Sequence, residues 1–285
     1  MAVVKKKAVD IDNTHSAPVH DDMSLARCAR GPWDWVELFG VTMNSMTLEE
    51  FLEAVDQQIA RNEPGYTVTP NVDHVCLLQK DKALQQVYHE AHYVLPDGVP
   101  LMWAGKLCRK PMKQKLSGSD LVYWLTEHAA QKGYSIFFLG AAEGIAEKAA
   151  QKLQELYPGF KIAGHYSPPL GFEKDPVESH KICDMIKAVA PDICYVALGT
   201  PKQEYWNGRH CEQIGVPCLI GIGASFDFVT GKSKRAPKWM QCSGLEWIWR
   251  LTQEPARLGK RYAKDLIFIP MFCREFIECH ISKAK

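Results

Sequence analysis

The chain lacks several features that would assign it to a common class at once. Its 285 residues carry a formal net charge of only +1, which argues against general nucleic-acid binding, because such binding usually needs a strong basic excess. No apolar run approaches the ~20 residues needed to span a bilayer. Lys5-Lys6-Lys7 is not followed by an apolar segment, so we expect no secretory signal.

Paired cysteines are also missing. The ten cysteines include no C-x-x-C pair, and at this length and spacing we expect no disulfide framework. Cys76, Cys183, Cys194 and Cys218 lie inside apolar runs. We therefore predict buried, reduced thiols in a cytosolic protein.

The chain has no standard nucleotide-binding motif in the glycine-bearing turn after a predicted strand, and its one D-x-D triplet is poorly placed for a metal site. The turn Gly140–Gly144 follows a strand, but it matches neither G-x-G-x-x-G nor a Walker loop. One function that an α/β fold could support is that of a nucleotide-dependent oxidoreductase on a Rossmann-like fold. The missing motifs count against this alternative. The D-x-D triplet Asp10-Ile11-Asp12 lies in a polar segment without a flanking strand, so we predict no metal site there.

What the chain does contain is a regular alternation of apolar β-rich runs and amphipathic segments, from about residue 62 to 230. This pattern predicts an α/β fold, a Rossmann-like, doubly wound, mainly parallel sheet. Before it, Thr47 and Glu50 form a capping box for a helix to about Arg61. We divide the chain into a poorly ordered extension (1–30), a Rossmann-like domain (31–243) and a helical appendage (244–285).

One stretch, Val94–Leu101, predicts the end of a buried strand, a tight turn and the start of a helix. In open α/β sheets such turns are where ligands bind. Asp97 in this turn is either the N-cap of the following helix or a reactive carboxylate held over a crevice. The local sequence alone leaves both interpretations open.

Polar side chains follow several other predicted strands in the same way. Because the carboxyl ends of parallel strands converge on one edge of a sheet, these side chains are expected to share a cleft. The residues concerned are Asp97, Lys202, Gln203, Glu204 and Asp227.

The last forty residues differ in character from the rest. Residues 245–285 contain eight Lys or Arg and five Asp or Glu. Arg257, Arg261 and Lys264 share one helical face, which Phe268 and the phenylalanines after it continue beyond a predicted kink at Pro270. Such a helix suits an anionic membrane surface. The alternative is a helix packed on its own domain with a solvated basic edge.

Short motifs in chain order make the sequence recognisable. It resembles the bacterial WecG/TagA/CpsF glycosyltransferases (glycosyltransferase family 26) from about Trp35 to Tyr262. The motifs are Thr69-Pro70-Asn71, Leu95-Pro96-Asp97-Gly98, Ser117-Gly118-Ser119-Asp120-Leu121, Phe138-Leu139-Gly140, Gly199-Thr200-Pro201-Lys202-Gln203-Glu204, Gly223 with Phe226-Asp227, Arg235-Ala236-Pro237, and Gly244-Leu245-Glu246-Trp247 with Arg250 and Glu254-Pro255.

The resemblance implies an inverting, metal-independent transferase without a cofactor. Such enzymes move a sugar from a UDP-sugar to a polyprenyl-diphosphate-linked acceptor at the inner face of the cytoplasmic membrane, for surface polysaccharides. It implies Asp97 as the general base, with Thr69 and Asn71 in the same pocket and Gln203 near the donor. The basic appendage would cover the site and contact the lipid diphosphate.

Chemistry extends the set of candidate residues. The charge on leaving UDP must meet backbone N–H groups or cationic side chains, and the acceptor diphosphate needs cations of its own. With Asp97 as the catalytic residue, the candidate substrate-binding residues are Thr69, Asn71, Lys115, Gly140, Lys202, Gln203, Glu204, Phe226, Asp227, Arg250, Arg257 and Arg261.

Two departures from the family pattern affect the predicted site. Lys115 stands where relatives often have Arg, so only its charge is carried over. Gly140-Ala141 and Gly223-Ala224 stand where some relatives have two glycines. The donor sugar is N-acetylmannosamine, its uronic acid or glucose, and the first type is favoured by its frequency in the family. A non-catalytic, membrane-associated scaffold of a polysaccharide assembly complex is the second alternative function, and a homo-oligomer is compatible with the sequence.

Overall fold

A computed structural model describes residues 26–281 of the chain. Its centre is a six-stranded, all-parallel sheet in the order β4-β3-β8-β7-β5-β6, and a separate antiparallel hairpin pairs β1 with β2. The strands are β1 (Trp35–Leu38), β2 (Val41–Asn44), β3 (Tyr66–Val68), β4 (Tyr93–Val94), β5 (Ser135–Gly140), β6 (Lys161–Tyr166), β7 (Ile193–Ala197) and β8 (Cys218–Gly221).

Helices connect these strands and cover both faces of the sheet. They are α1 (Leu48–Ala60), α2 (Val72–Leu78), α3 (Lys82–Glu90), α4 (Val99–Leu107), α5 (Gly118–Lys132), α6 (Ile145–Leu156), α7 (Pro176–Val189), α8 (Lys202–Ile214), α9 (Ser225–Thr230), α10 (Lys238–Cys242), α11 (Glu246–Gln253), α12 (Pro255–Asp265) and α13 (Phe268–Ile281).

The sheet separates two hydrophobic cores, as the strand period of two requires. Along β5, Phe137 and Leu139 belong to one core, whereas Ile136 and Phe138 belong to the other. Parallel strands buried on both faces need continuous apolar runs, and β5 and β7 have them. The predicted Rossmann-like α/β fold is confirmed, and so is the capping box of α1.

Two helices, α2 and α3, connect β3 to β4. α2 ends at Leu78, and α3 begins after Asp81, whose carboxylate accepts a hydrogen bond from the Leu84 N–H at 3.1 Å. The side chain of Asp81 also accepts a hydrogen bond from the Tyr205 hydroxyl on α8. A capping residue that is anchored to another helix fixes the break at this position.

The amino-terminal segment is described only in part. Residues 1–25, including Lys5-Lys6-Lys7 and the D-x-D triplet, lie outside the described residues. Arg27–Arg30 form a short 3-10 turn in which Cys28 is buried. The predicted burial of Cys76, Cys183, Cys194 and Cys218 as free thiols is confirmed.

The helical appendage packs back onto the domain. The Phe268 ring meets that of Phe39 edge-on, with 5.0 Å between centroids. Glu275 accepts hydrogen bonds from the Phe39 N–H at 3.2 Å and from Lys110 Nζ at 2.7 Å. The inner face of α13 is therefore a docked surface, as the packed-helix interpretation of the sequence expects.

The kink predicted at Pro270 is wrong in its position. The helix is interrupted between α12 and α13, at residues 266–267, and Pro270 lies in the first turn of α13. A proline is tolerated there because the N–H groups of a first turn have no helical partner. Of the helices in residues 26–281, none combines the length and apolarity required to cross a membrane.

Candidate active site

The sheet topology brings the polar strand ends to one edge. The chain leaves β5 towards β6 and leaves β7 towards β8, in opposite directions along the sheet, although β5 and β7 are neighbours. Diverging connections of this kind open a crevice at the carboxyl ends of the strands, which is where open α/β sheets bind ligands. The turns after β3, β4 and β8 border the same edge.

Asp97 is fixed at this edge by its backbone. The ladder between β3 and β4 continues past both strands, through Leu95 N–H to Val68 O at 2.9 Å and Asp97 N–H to Pro70 O at 2.8 Å. Gly98 then has φ +101°, a conformation that favours glycine, and it is the N-cap of α4. The interpretation of Asp97 as the helix cap is therefore wrong.

The Asp97 carboxylate is half-buried and, within residues 26–281, it has no hydrogen-bond partner. Burial raises the pKa of Asp97 from 3.8 to about 6, against the lowering effect of the nearby Lys115 and Arg250 charges. Glu246 raises this pKa further and His74 lowers it. A carboxylate with this pKa is ionised at neutral pH and is basic enough to accept a proton.

A cationic group lies beside Asp97. Lys115 Nζ is 2.9 Å and Arg235 Nη2 is 2.7 Å from the two carboxylate oxygens of Asp120, and the Ser117 hydroxyl donates to the same carboxylate at 2.6 Å. Burial acts to raise the pKa of Asp120, but the Ser117 hydrogen bond and the two cations outweigh it and the pKa is lowered. Asp120 therefore holds two cations together with one negative charge.

The appendage reaches over the turn that carries Asp97. At Gly244 a Cβ atom would lie 3.3 Å from the Val99 side chain and 3.5 Å from Trp103, so the start of α11 approaches α4 closely. Arg250 on α11 is paired with Glu246 at 2.7 Å and stacks over the Phe228 ring at 5.3 Å. The charge of Arg250 also acts on Asp97, so this guanidinium lies near that carboxylate. Its contact with the acceptor stays a prediction.

The other two predicted arginines have different outcomes. Arg261 on α12 contacts Asp73 on α2, with 2.6 Å between Nη2 and Oδ2, so it fastens the appendage to the domain next to the site. Arg257 belongs to α12, but its side chain lies outside the described residues.

A buried polar network lies beneath the site. His74 Nδ1 is 2.9 Å from Asn71 Oδ1, and His74 Nε2 is 2.8 Å from Thr200 Oγ1 and 3.3 Å from Glu204 Oε1. Gln203 donates to Glu204 at 2.8 Å and accepts from the Gly223 N–H at 3.0 Å. The side chains of Gln203 and Glu204 therefore contact protein groups below the crevice.

Sequence reasoning missed His74 and Thr200. The one available signal was a histidine three positions after Asn71, next to Asp73 in a short and otherwise apolar helix. In the structure that residue completes a capping box, because Asn71 caps α2 and the His74 ring accepts from the Asn71 N–H at 3.3 Å. A capping role alone would not have predicted the contact with Glu204.

The remaining candidates line the edge to different extents. Thr69 follows β3 directly, and Gly140 ends β5 so close to β7 that a Cβ atom would lie 2.5 Å from the Ala197 carbonyl oxygen. Lys202 forms an ion pair with Glu173, and Asp227 lies 3.3 Å from Lys232 Nζ.

Phe226 requires a correction, because its side chain is 0% exposed. Its ring packs against that of Phe138, with 5.7 Å between centroids, so it is a core residue and cannot contact substrate in this structure. Among residues 26–281, no three His, Cys, Asp or Glu side chains are grouped so that they could hold a metal ion.

Comparisons with known proteins agree on one family. The family model described as "Glycosyl transferase WecG/TagA/CpsF family" matches residues 36–281. A relative from Bacillus spizizenii is 33% identical over 225 residues, which is 79% of this chain and 83% of the relative. One from Staphylococcus aureus is 27% identical over 254 residues, 88% of this chain and 96% of the relative. Both are named N-acetylglucosaminyldiphosphoundecaprenol N-acetyl-beta-D-mannosaminyltransferase.

Ionised Asp97 should cost the native state free energy. Its pKa of about 6 when folded exceeds the ordinary 3.8, so its contribution to stability is lost as the pH rises through 6. Asparagine does not ionise. We therefore expect the stability of Asp97→Asn relative to the wild type to increase by about 1 kcal/mol when the pH is raised from 5 to 8.

Urea unfolding at the two pH values measures this difference. Asp184→Asn, at an exposed position of α7, is the matched control and should differ from the wild type by the same amount at both. A difference for Asp97→Asn that stays constant with pH would show that the buried carboxylate is not destabilising.

Proposed function

The chain belongs to the WecG/TagA/CpsF family of glycosyltransferases, and on that premise we propose that it transfers an N-acetylmannosamine-type sugar from UDP to a polyprenyl-diphosphate-linked sugar. Membership of the family decides against the oxidoreductase and the scaffold. The observation that carries the proposal is the half-buried Asp97 carboxylate, unpaired within residues 26–281, at the carboxyl edge of the sheet.

Asp97 is the general base of a single displacement. A hydroxyl oxygen of the acceptor sugar forms a bond to the anomeric carbon while the bond from that carbon to the UDP oxygen breaks. The hydroxyl proton passes to the Asp97 carboxylate, whose pKa of about 6 leaves it ionised at neutral pH. One displacement from the face opposite UDP inverts the anomeric centre.

The charge that develops on UDP is stabilised by cations and backbone N–H groups. Lys115 and Arg235 lie together around Asp120 close to Asp97, and Lys202 opens α8 at the crevice. The turns at Gly140 and Gly223 present backbone groups at the same edge. Positioned donors of this kind are the usual source of electrostatic stabilisation, and they support a transfer that needs no metal ion.

The acceptor diphosphate is held from the other side, by the appendage. Arg250 supplies a guanidinium near Asp97, and Arg257 and Arg261 extend the basic character of α12. The names of the relatives identify N-acetylglucosaminyl-diphospho-undecaprenol as their acceptor. We assign the same class of acceptor to this chain because the base and the basic appendage adjoin each other.

The outer face of α13 supports peripheral binding to the inner face of the cytoplasmic membrane. Ile269, Ile277 and Ile281 on this face are exposed, as is Leu266 just before the helix. Cys273 lies between them at helical spacing and is also exposed. The opposite face of α13 is docked on the domain, so the domain does not cover this apolar stripe. An apolar stripe of this kind suits contact with a bilayer.

Asp97→Asn should abolish transfer while leaving the fold intact. Loss of a general base costs typically 10²–10⁴-fold in rate, so we expect a fall of about that size in kcat. The assay uses UDP-N-acetylmannosamine, its uronic acid and UDP-glucose with a lipid-diphosphate acceptor, with and without EDTA. Wild-type activity should persist in EDTA, and its acidic limb should lie near pH 6.

Asp184→Asn serves again as the control and should keep wild-type rates. Undiminished transfer by Asp97→Asn would remove Asp97 from the mechanism. A wild type that transfers none of these sugars would contradict the proposed donors and acceptor.

The membrane proposal is tested by sedimentation with anionic liposomes. The double variant Ile269→Glu/Ile277→Glu should lose most of its binding, because both exposed side chains would have to enter the headgroup region. Leu156→Glu/Val177→Glu alters two apolar residues on α6 and α7 that are at least as exposed, and this variant should bind as the wild type does. Equal binding by both double variants would show that α13 is not the contact.

A further inference from the structure

The buried network below the crevice joins the turns that follow three different strands. Asn71 and His74 come after β3, Thr200 and Glu204 come after β7, and Gln203 connects to Gly223 after β8. His74 is 4% exposed and Glu204 is 1% exposed, so water contributes little to holding them. The imidazole bridges the β3 and β7 turns, and the Gln203 amide bridges the β7 and β8 turns.

Both ring nitrogens of His74 face oxygen atoms. Nδ1 meets Asn71 Oδ1, and Nε2 meets Thr200 Oγ1 and Glu204 Oε1, at the distances given above. Asn71 Oδ1 already accepts from the Asp73 and His74 N–H groups, so it is oriented as an acceptor. Nδ1 also accepts from the Asn71 N–H at 3.3 Å, so one imidazole contacts both the side chain and the backbone of the residue that caps α2.

Glu204 is the carboxylate partner of this imidazole in the β7 turn. Its Oε1 receives Gln203 and His74, and its Oε2 is buried without a hydrogen-bond partner among the described residues. A buried carboxylate is costly unless a cation compensates it. The other groups that face this pair are the Tyr88 ring on α3, 6.4 Å from the imidazole, and the carboxyl of Asp265 on α12.

The pair is connected to the base through the β3 turn. Asn71, held by His74, follows Pro70, and the Pro70 carbonyl accepts the Asp97 N–H at 2.8 Å. The charge of His74 also reaches Asp97, together with those of Lys115, Arg250 and Glu246. Moving or neutralising His74 would therefore change both the placement of Asp97 and its affinity for a proton.

We propose that His74, paired with Glu204, is a positioning residue that locks the β3 and β7 turns together and keeps the Asp97 carboxylate placed and ionised for proton abstraction. This inference rests on the proposed function, because it assigns Asp97 the role of base. It gives the Glu204 side chain a role in supporting the site, in place of the substrate contact predicted from its motif.

His74→Gln tests the proposal, because glutamine keeps hydrogen-bonding capacity but cannot carry a charge. We expect kcat to fall about 10- to 100-fold while KM for the donor changes less than about threefold, since a positioning residue acts on the transition state. The acidic limb of the kcat profile should move to higher pH, because a cation that favours ionised Asp97 has been removed.

His128→Gln is the matched control. His128 forms a histidine–carboxylate pair with Asp56 at 2.7 Å, between α5 and α1 and away from the crevice. Its loss should lower the Tm without moving the acidic limb. If His74→Gln behaves like this control, with an unmoved limb and a rate that falls only with the folded fraction, His74 is structural and the proposal is overturned.

Two further measurements keep the outcome decisive. If His74→Gln does not fold, the isosteric Glu204→Gln should lower kcat in the same way with little change in KM for the donor, because the imidazole loses its partner in the β7 turn, and an unchanged kcat overturns the proposal. A ¹³C NMR titration of the Asp97 carboxyl in the wild type and in His74→Gln needs no activity. A wild type without transferase activity contradicts the proposed function, whereas equal Asp97 titrations in the two proteins contradict the role of His74.

Discussion

The structure depends on keeping one carboxylate half-buried and, among the described residues, without a hydrogen-bond partner at the end of a parallel strand. Asp97 is held by a backbone bond to Pro70 and followed by Gly98, whose φ of +101° turns the chain away into α4. Gly98 is the N-cap of α4, so the Asp97 side chain does not cap this helix. Burial then raises the pKa of Asp97 to about 6, which suits the role of base in the proposed function.

In the described part of the chain, the neighbouring charges favour the ionised form of this carboxylate without forming a direct ion pair with it. Asp120 gathers Lys115 and Arg235 on one side, and Glu246 holds Arg250 on the other. Each cation has an anionic partner of its own, and none forms an ion pair with Asp97 within residues 26–281. These positive charges therefore lower the cost of ionising Asp97 without neutralising it through a direct contact, and in the proposed function the same cations meet phosphate oxygens.

The appendage is packed against the domain at several points. Gly244 lets α11 approach α4, Arg261 fastens α12 to Asp73, and Phe268 docks α13 beside Phe39. Its inner face is thus a part of the domain's packing, and its outer face exposes an apolar stripe beside the Arg274–Glu278 ion pair. In the proposed function, one element brings a guanidinium to the base and an apolar stripe to the bilayer that contains the acceptor.

The sequence was sufficient for the sheet and for the edge at which Asp97 lies, because strand periodicity and polar strand ends are local signals. It could not show that Gly98 rather than Asp97 caps α4, since an Asp-Gly pair is compatible with both. Phe226 and Asp227 are adjacent in a motif, yet a short helix turns the first into the core. His74 was overlooked because its partner Glu204 is 130 residues away and is brought close only by the sheet order.

The central claim is a single displacement in which Asp97 takes a proton and forms no bond to the sugar. NMR of the first-formed product from an α-linked UDP-sugar tests it directly, because the one-bond C1–H1 coupling reports the configuration of the new linkage even for a manno-configured sugar. A β-linked product is expected throughout the reaction. An α-linked product would require two displacements and a covalent intermediate, and would contradict the role given to Asp97.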